Sequence, residues 1–117
     1  MNYQNENVIL KLSFQFALNV VEFANTLDEK RKYVLSKQVL KSGTSIGANV
    51  REAQGAESKN DFIHKIKISY KAAEETQYWI DLCKSAKNYP NPGKLSEEVI
   101  VLKKILGKII VSAKGKN

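Results

Sequence analysis

Cysteine, histidine, tryptophan and methionine each occur once in the 117 residues, and proline only twice. A single cysteine, Cys83, excludes any disulfide within the chain. With His64 as the lone histidine, neither the ligand set of a zinc cage nor an ordinary Cys/His catalytic pair is supplied. Arginine is scarce too: Arg31 and Arg51 are the only two among 19 basic residues. Lysine, which makes up the rest, is a flexible point charge suited to diffuse phosphate contact, whereas bidentate reading of base edges favours arginine. No apolar run approaches the ~18 residues of a membrane span. The polar start, Met1 to Glu6, lacks the basic and apolar regions of a signal peptide. The expected setting is therefore the cytoplasm, with no membrane association. Strand-like alternation is absent from every apolar segment, so no Gly-rich phosphate loop can follow a strand.

What is present is a chain 43% hydrophobic and 26% charged, with a formal charge of +7. A chain of this length makes one compact domain, residues 1–117, and is too short for a two-domain enzyme. Its charge is uneven. Residues 1–30 carry a net −2 and residues 31–117 a net +9, which biases the later part toward anionic partners.

Four segments have helical periodicity. In the first, about residues 5–27, Ile9, Leu12, Phe16, Val20, Phe23 and Leu27 recur at spacings of three and four. Leu10, Phe14, Ala17, Val21 and Ala24 form a second apolar stripe about a third of a turn away. The second helix, about 33–55, follows Leu35, Val39, Ser42, Ile46, Val50 and Ala53. Gly43 and Gly47 each cost it ~1 kcal/mol relative to alanine. Two readings stay open there: an unbroken helix whose two glycines let another backbone approach, or a break at Ser42-Gly43-Thr44 with a new helix capped by Thr44 or Ser45. The break would permit a helix-turn-helix, although Arg51 is then its one base-reading cation.

The third helix, about 59–88, starts at Ser58 with Asp61 in a capping-box position. Phe62, Ile66, Ser69, Ala73, Thr76, Ile80 and Cys83 make its main stripe. Ile68, Ala72, Glu75, Trp79, Leu82 and Ala86 make another. Asn88 to Gly93, with two prolines, is a turn. Ser96 is the expected N-cap of the fourth helix, about 95–114, and the tail from Lys114 to Asn117 is expected to fray. Long amphipathic helices on short connections predict an all-α, antiparallel up-down four-helix bundle.

Little in this pattern carries chemistry. Asp61 and His64 have the acidic-x-x-His step of di-iron bundles, but a second copy is missing, so His64 reads as a surface residue and no metal is expected. Glu74 and Glu75 diverge by about 100° and cannot share a proton. Cys83 reads as a small buried hydrophobe. The chain is expected to be neither an enzyme nor a cofactor binder.

The string Ser42-x-x-Ser45-Ile46-Gly47-Ala48-Asn49, then Val50, Glu52 and Ala53, then Asp61-Phe62, and the later Ala72-x-Glu74-Glu75-Thr76-x-Tyr78-Trp79 resemble the four-helix-bundle family of 23S ribosomal RNA intervening-sequence proteins. The resemblance covers almost the whole chain and extends to the accessory protein of diversity-generating retroelements. It departs at Ala53, where many relatives carry glycine. It implies a barrel-like homopentamer, a basic surface contacting RNA or DNA, no enzymatic activity and, distantly, a protein partner such as a reverse transcriptase. Ser42, Ser45, Ile46, Gly47, Asn49, Glu52, Phe62 and Glu75 are then motif and packing residues. Glu75, awkward in a dry core, is expected to be hydrogen-bonded at a helix or subunit junction.

The candidates for nucleic-acid contact are Lys37, Lys41 and Arg51, with Thr44, on one face of an unbroken second helix. Lys67 and Lys71 with Tyr78 on the third helix and Lys104 and Lys108 on the fourth complete the set. Lysines near an exposed aromatic can hold phosphates while a base stacks. Five copies at +7 each would carry roughly +35, a field that draws in polyanions. The competing expectation is a structural adaptor that docks a protein, its lysines serving solubility alone.

Overall fold

The computed structural model describes residues 3–115, with side-chain environments from Val8 onward. It contains four helices: α1 (Tyr3–Glu29), α2 (Tyr33–Ala53), α3 (Lys59–Ser85) and α4 (Leu95–Lys114). Among the described residues there is no strand. Each helix packs closely on its neighbour in sequence and α4 closes against α1, whereas α1 with α3 and α2 with α4 stand diagonally, without close backbone approach among the described residues. The result is a rod of 50 × 20 × 18 Å.

The four primary stripes meet in the centre, with the exception of Leu12, which lies outside. Phe16, Leu27, Ile46, Ile66, Ile80, Leu102 and Leu106 are among the fully buried side chains, each contributing about 1.5–3 kcal/mol. Cys83 is buried with them, and desolvation pushes its thiol pKa up. His64 is exposed.

α2 runs unbroken through both glycines, which leaves no turn for a helix-turn-helix. Thr44 caps nothing; its hydroxyl donates back to the Leu40 carbonyl at 2.7 Å. The glycines are contact points with α1. A Cβ on Gly43 would stand 2.8 Å from Val20 Cγ2, and one on Gly47 3.2 Å from the Ser13 carbonyl oxygen. Absence of side chains here sets the spacing of α1 and α2.

Buried hydroxyls fix the register. Ser36 donates to the Ala24 carbonyl at 3.1 Å, and Ser69 to the Ile46 carbonyl at 2.8 Å. Thr76 Oγ1 lies 2.8 Å from Ser42 Oγ and 2.7 Å from the Ala72 carbonyl. From Ala24 and Ser36 to Ser13 and Gly47, the contacts descend one helix while climbing the other. The α2–α3 pairs, Ser42 with Thr76 and Ile46 with Ser69, do the same.

The ends differ from expectation in detail. Ser58 accepts from the Asp61 backbone N–H at 3.0 Å, while Asp61 Oδ2 accepts from Glu57 N–H at 3.2 Å, one residue before the usual partner. Ser96 is not the cap of α4. Lys94 holds that position without a side-chain bond, and Ser96 Oγ is buried with no protein partner. α4 continues through Lys114 instead of fraying there; Lys116 and Asn117 lie outside the described residues.

By length and composition, an 18-residue window within Val8–Glu29 of α1 suffices to cross a membrane, at mean hydropathy 1.2, although it is not a continuous apolar run. Lys11, Gln15, Asn19 and Glu22 interrupt the apolar run without lowering its mean below that level. One third of the stretch is buried in the bundle. Outside it remain Val8, Leu12, Phe14, Leu18 and Val21.

Candidate nucleic-acid interface

The sequence candidates divide between two surfaces. On α3, Lys67, Lys71 and Tyr78 lie at steps of four and seven on the exposed face, away from the buried stripe. On α4, Lys104 and Lys108 are one turn apart and exposed. Between the two helices, Lys103 Nζ donates to Gln77 Oε1 at 3.0 Å and stands 5.9 Å from the Tyr70 ring centroid, and a Cβ on Gly107 would stand 3.9 Å from Tyr70 Cε2. Farther along the same seam, the Lys114 ammonium stands close enough to Lys67 to act on its titration.

That last contact gives the face its electrostatic character. Hydrogen-bonding competition and repulsion from the Lys114 ammonium, then slight desolvation and repulsion from Lys71, hold the fully exposed Lys67 below the usual lysine pKa. Of the nearby carboxylates, Glu74 and Glu75 lie one turn from Lys71 as well as from Tyr78, and Asp81 lies one turn beyond Tyr78. Three ammoniums without an intervening carboxylate attract a phosphate, which relieves their mutual repulsion.

Lys37, Lys41 and Arg51 are all exposed on α2, but α2 stands diagonally across the bundle from α4, so they do not extend the lysine rows of α3 and α4. Arg51 turns to α1, its guanidinium carbon 5.8 Å from the Phe14 ring centroid. It stands at a groove of about 850 Å³ between α1 and α2, whose wall includes Leu10, Phe14, Ala17 and Ala48. On the other flank of α1 a smaller groove of about 290 Å³ is lined by Leu12, Val101, Glu97 and Glu98. Asn19 Nδ2 bridges both Glu98 carboxylate oxygens there, at 3.0 and 3.2 Å.

The motif residues serve packing. Ser42, Ile46 and Phe62 are buried, and Gly47 meets α1. Asn49 donates its amide to the Ser45 carbonyl at 2.8 Å and to Ser45 Oγ at 3.0 Å. Glu52 pairs with Lys65 at 3.4 Å, an exposed ion pair of small energetic weight. Glu75 is not at a helix junction. It is exposed, and accepts from Trp79 Nε1 at 3.2 Å within its own helix, because the bundle buries the other stripe of α3.

Sequence reasoning missed Lys103, Lys114 and Tyr70. Their relevance depends on which turn of α4 faces which turn of α3, and spacing within one helix carries no such signal. Among the described residues no group of three or more His, Cys, Asp or Glu side chains is placed to hold a metal ion.

Residues 5–108 match the 23S rRNA-intervening sequence protein family. A crystal structure at 1.70 Å resolution of a protein of unknown function from the S23 ribosomal protein family, from Bacteroides thetaiotaomicron VPI-5482, is similar to this chain at TM-score 0.86 and 38% sequence identity. The similarity covers 92% of this chain and 98% of that one. No curated relative matches the chain.

Proposed function

The chain belongs to the 23S rRNA-intervening sequence protein family, and we propose that it works without catalysis, as a cytoplasmic homo-oligomer of antiparallel up-and-down bundles that binds RNA or another nucleic acid without strong sequence preference. The observation that carries this reading is the crowding of Lys67, Lys71 and Lys114 on the α3–α4 face. Lys104 and Lys108 add two exposed cations on α4. The predominance of lysine over arginine favours phosphate contact over base reading.

Assembly draws support from α1. Phe14, Leu18 and Val21 are 54%, 47% and 42% exposed, on a helix whose two flanking grooves differ in charge, one with Arg51 and the other with Glu97 and Glu98. Unlike faces that pair head to tail close into rings rather than two-fold dimers. Five is the number the family resemblance implies. In this reading the apolar stretch of α1 serves assembly, not membrane insertion.

The test is the 260/280 nm absorbance ratio of purified protein before and after high salt or nuclease, with light scattering on the same sample. Co-purifying nucleic acid that salt removes, on a particle several times 13.2 kDa, is expected. A nucleic-acid-free monomer overturns both parts. A nucleic-acid-free oligomer supports the adaptor reading, for which the α1–α2 groove is the surface and a protein such as a reverse transcriptase the distant candidate.

A further inference from the structure

Tyr78 is 58% exposed on α3, yet its ring is not free to wander. Its centroid lies 5.2 Å from that of Trp79, with the planes at 66°, an edge-to-face contact. Trp79 is itself half-buried, and its indole N–H donates to Glu75 at 3.2 Å. Glu75 therefore holds the indole, and the indole supports the phenol. A surface aromatic braced in this way presents a binding face whose rotamer entropy is already partly lost.

The charges around the ring discriminate. Lys71 lies seven residues before Tyr78 on the same side of α3, about 10 Å along the axis at 1.5 Å per residue, and Lys67 is one turn farther. Glu74 and Asp81, four residues before and three after, flank the ring itself, with Glu75 on the Trp79 side; Glu74 and Glu75 are also one turn from Lys71. A phosphate is most welcome at the Lys67–Lys114 end, with the Lys71 ammonium as the boundary, and is repelled beside Tyr78. A base carries no charge, has a π-face to stack and amino hydrogens that a carboxylate accepts. An A-form duplex keeps its base faces inside and would lay phosphates against Glu74 and Asp81.

From this juxtaposition we infer that Tyr78 is a braced stacking platform for one unpaired base, and that the ligand of the α3–α4 face is single-stranded RNA whose neighbouring phosphates lie on Lys71 and Lys67. The inference rests on the nucleic-acid reading above and narrows it. Glu75 and Trp79 act as positioning residues, since neither needs to touch the ligand.

The experiment is fluorescence anisotropy of the full-length protein with a labelled 12-nucleotide RNA of mixed sequence, alone or annealed to its complement, at 50 mM salt. The single strand is expected to bind more tightly than the duplex. Tyr78→Ala should weaken single-strand binding by about 5- to 150-fold, the span that stacking of one base provides, and leave the salt slope unchanged. Tyr78→Phe should restore most of the affinity. Emission of Trp79, the chain's one tryptophan, should change on binding in wild type and much less in Tyr78→Ala. Equal binding of single strand by wild type and Tyr78→Ala, or a preference for the duplex, overturns the inference while the nucleic-acid reading stands. No binding of either RNA by the wild type overturns both.

Discussion

Two mid-helix glycines, Gly43 and Gly107, should respond to alanine with opposite signs, because only at Gly43 is the neighbouring helix too close to admit a Cβ. At Gly43 an added Cβ falls 2.8 and 2.9 Å from the two Val20 methyls and 3.3 Å from Val20 Cβ. Val20 is fully buried and, being β-branched in a helix, has essentially one rotamer. Its methyls cannot swing away, so α1 and α2 must separate or the side chain must strain, at about 1–3 kcal/mol. Better helix propensity returns about 1 kcal/mol. Gly43→Ala is therefore destabilising on balance, by about 0–2 kcal/mol. At Gly107 the nearest atom, Tyr70 Cε2, is 3.9 Å away, an ordinary contact. Gly107→Ala keeps its propensity gain and is expected to stabilise by about 1 kcal/mol. Urea unfolding followed by circular dichroism at one fixed protein concentration measures both, since any oligomer makes apparent stability concentration-dependent. If Gly43→Ala stabilises as much as Gly107→Ala, the close approach of α1 to α2 through Gly43 is refuted.

The buried Ser42–Thr76 pair should show coupling. Thr76→Val is expected to cost about 1–3 kcal/mol by stranding the Ser42 hydroxyl, and the double change with Ser42→Ala should cost less than the sum of the single changes; a strictly additive cycle in chemical denaturation contradicts the pairing. Lys67, depressed below its ordinary value by Lys114 and Lys71, loses its proton in the folded chain before the unfolded one does. Stability should therefore gain a contribution as pH rises through its folded pKa, the unfolded state binding more protons there. Lys114→Ala should return the Lys67 titration toward the usual lysine range in an NMR titration; an unchanged titration shows that the two amines do not meet.

The four helices and their buried stripes were legible because a 3.6-residue period repeats without interference through most of each segment. Asn88 to Gly93 announced its own turn. Gly43 and Gly47 were ambiguous because propensity argues against a helix and close approach argues for one, and only the position of Val20 and Ser13 decides between them. Ser96 was misread because burial of Leu95, 4% exposed, carries the helix start one residue earlier than the better capping side chain. Glu75 looked like a core anomaly because α3 has two regular stripes, and periodicity does not say which one the bundle buries. The lysine rows on α3 and α4 could each be read from spacing. Their union with Lys103 and Lys114 could not, since it is a property of the register between helices. Arg51 was placed on a row of α2 cations, whereas the Phe14 ring draws it toward α1.

The central claim, that the α3–α4 lysine face binds nucleic acid through phosphates, is tested most directly by the salt dependence of RNA affinity in wild type and in the variant carrying Lys67→Ala, Lys71→Ala and Lys108→Ala. Between 50 and 200 mM salt the wild type should lose affinity by orders of magnitude, with log K falling linearly in log salt. The triple variant should bind more weakly and with a slope shallower by about 2, three phosphate contacts on a single strand at ~0.7 each. An unchanged slope in the triple variant, or wild-type affinity that ignores salt, would contradict the account.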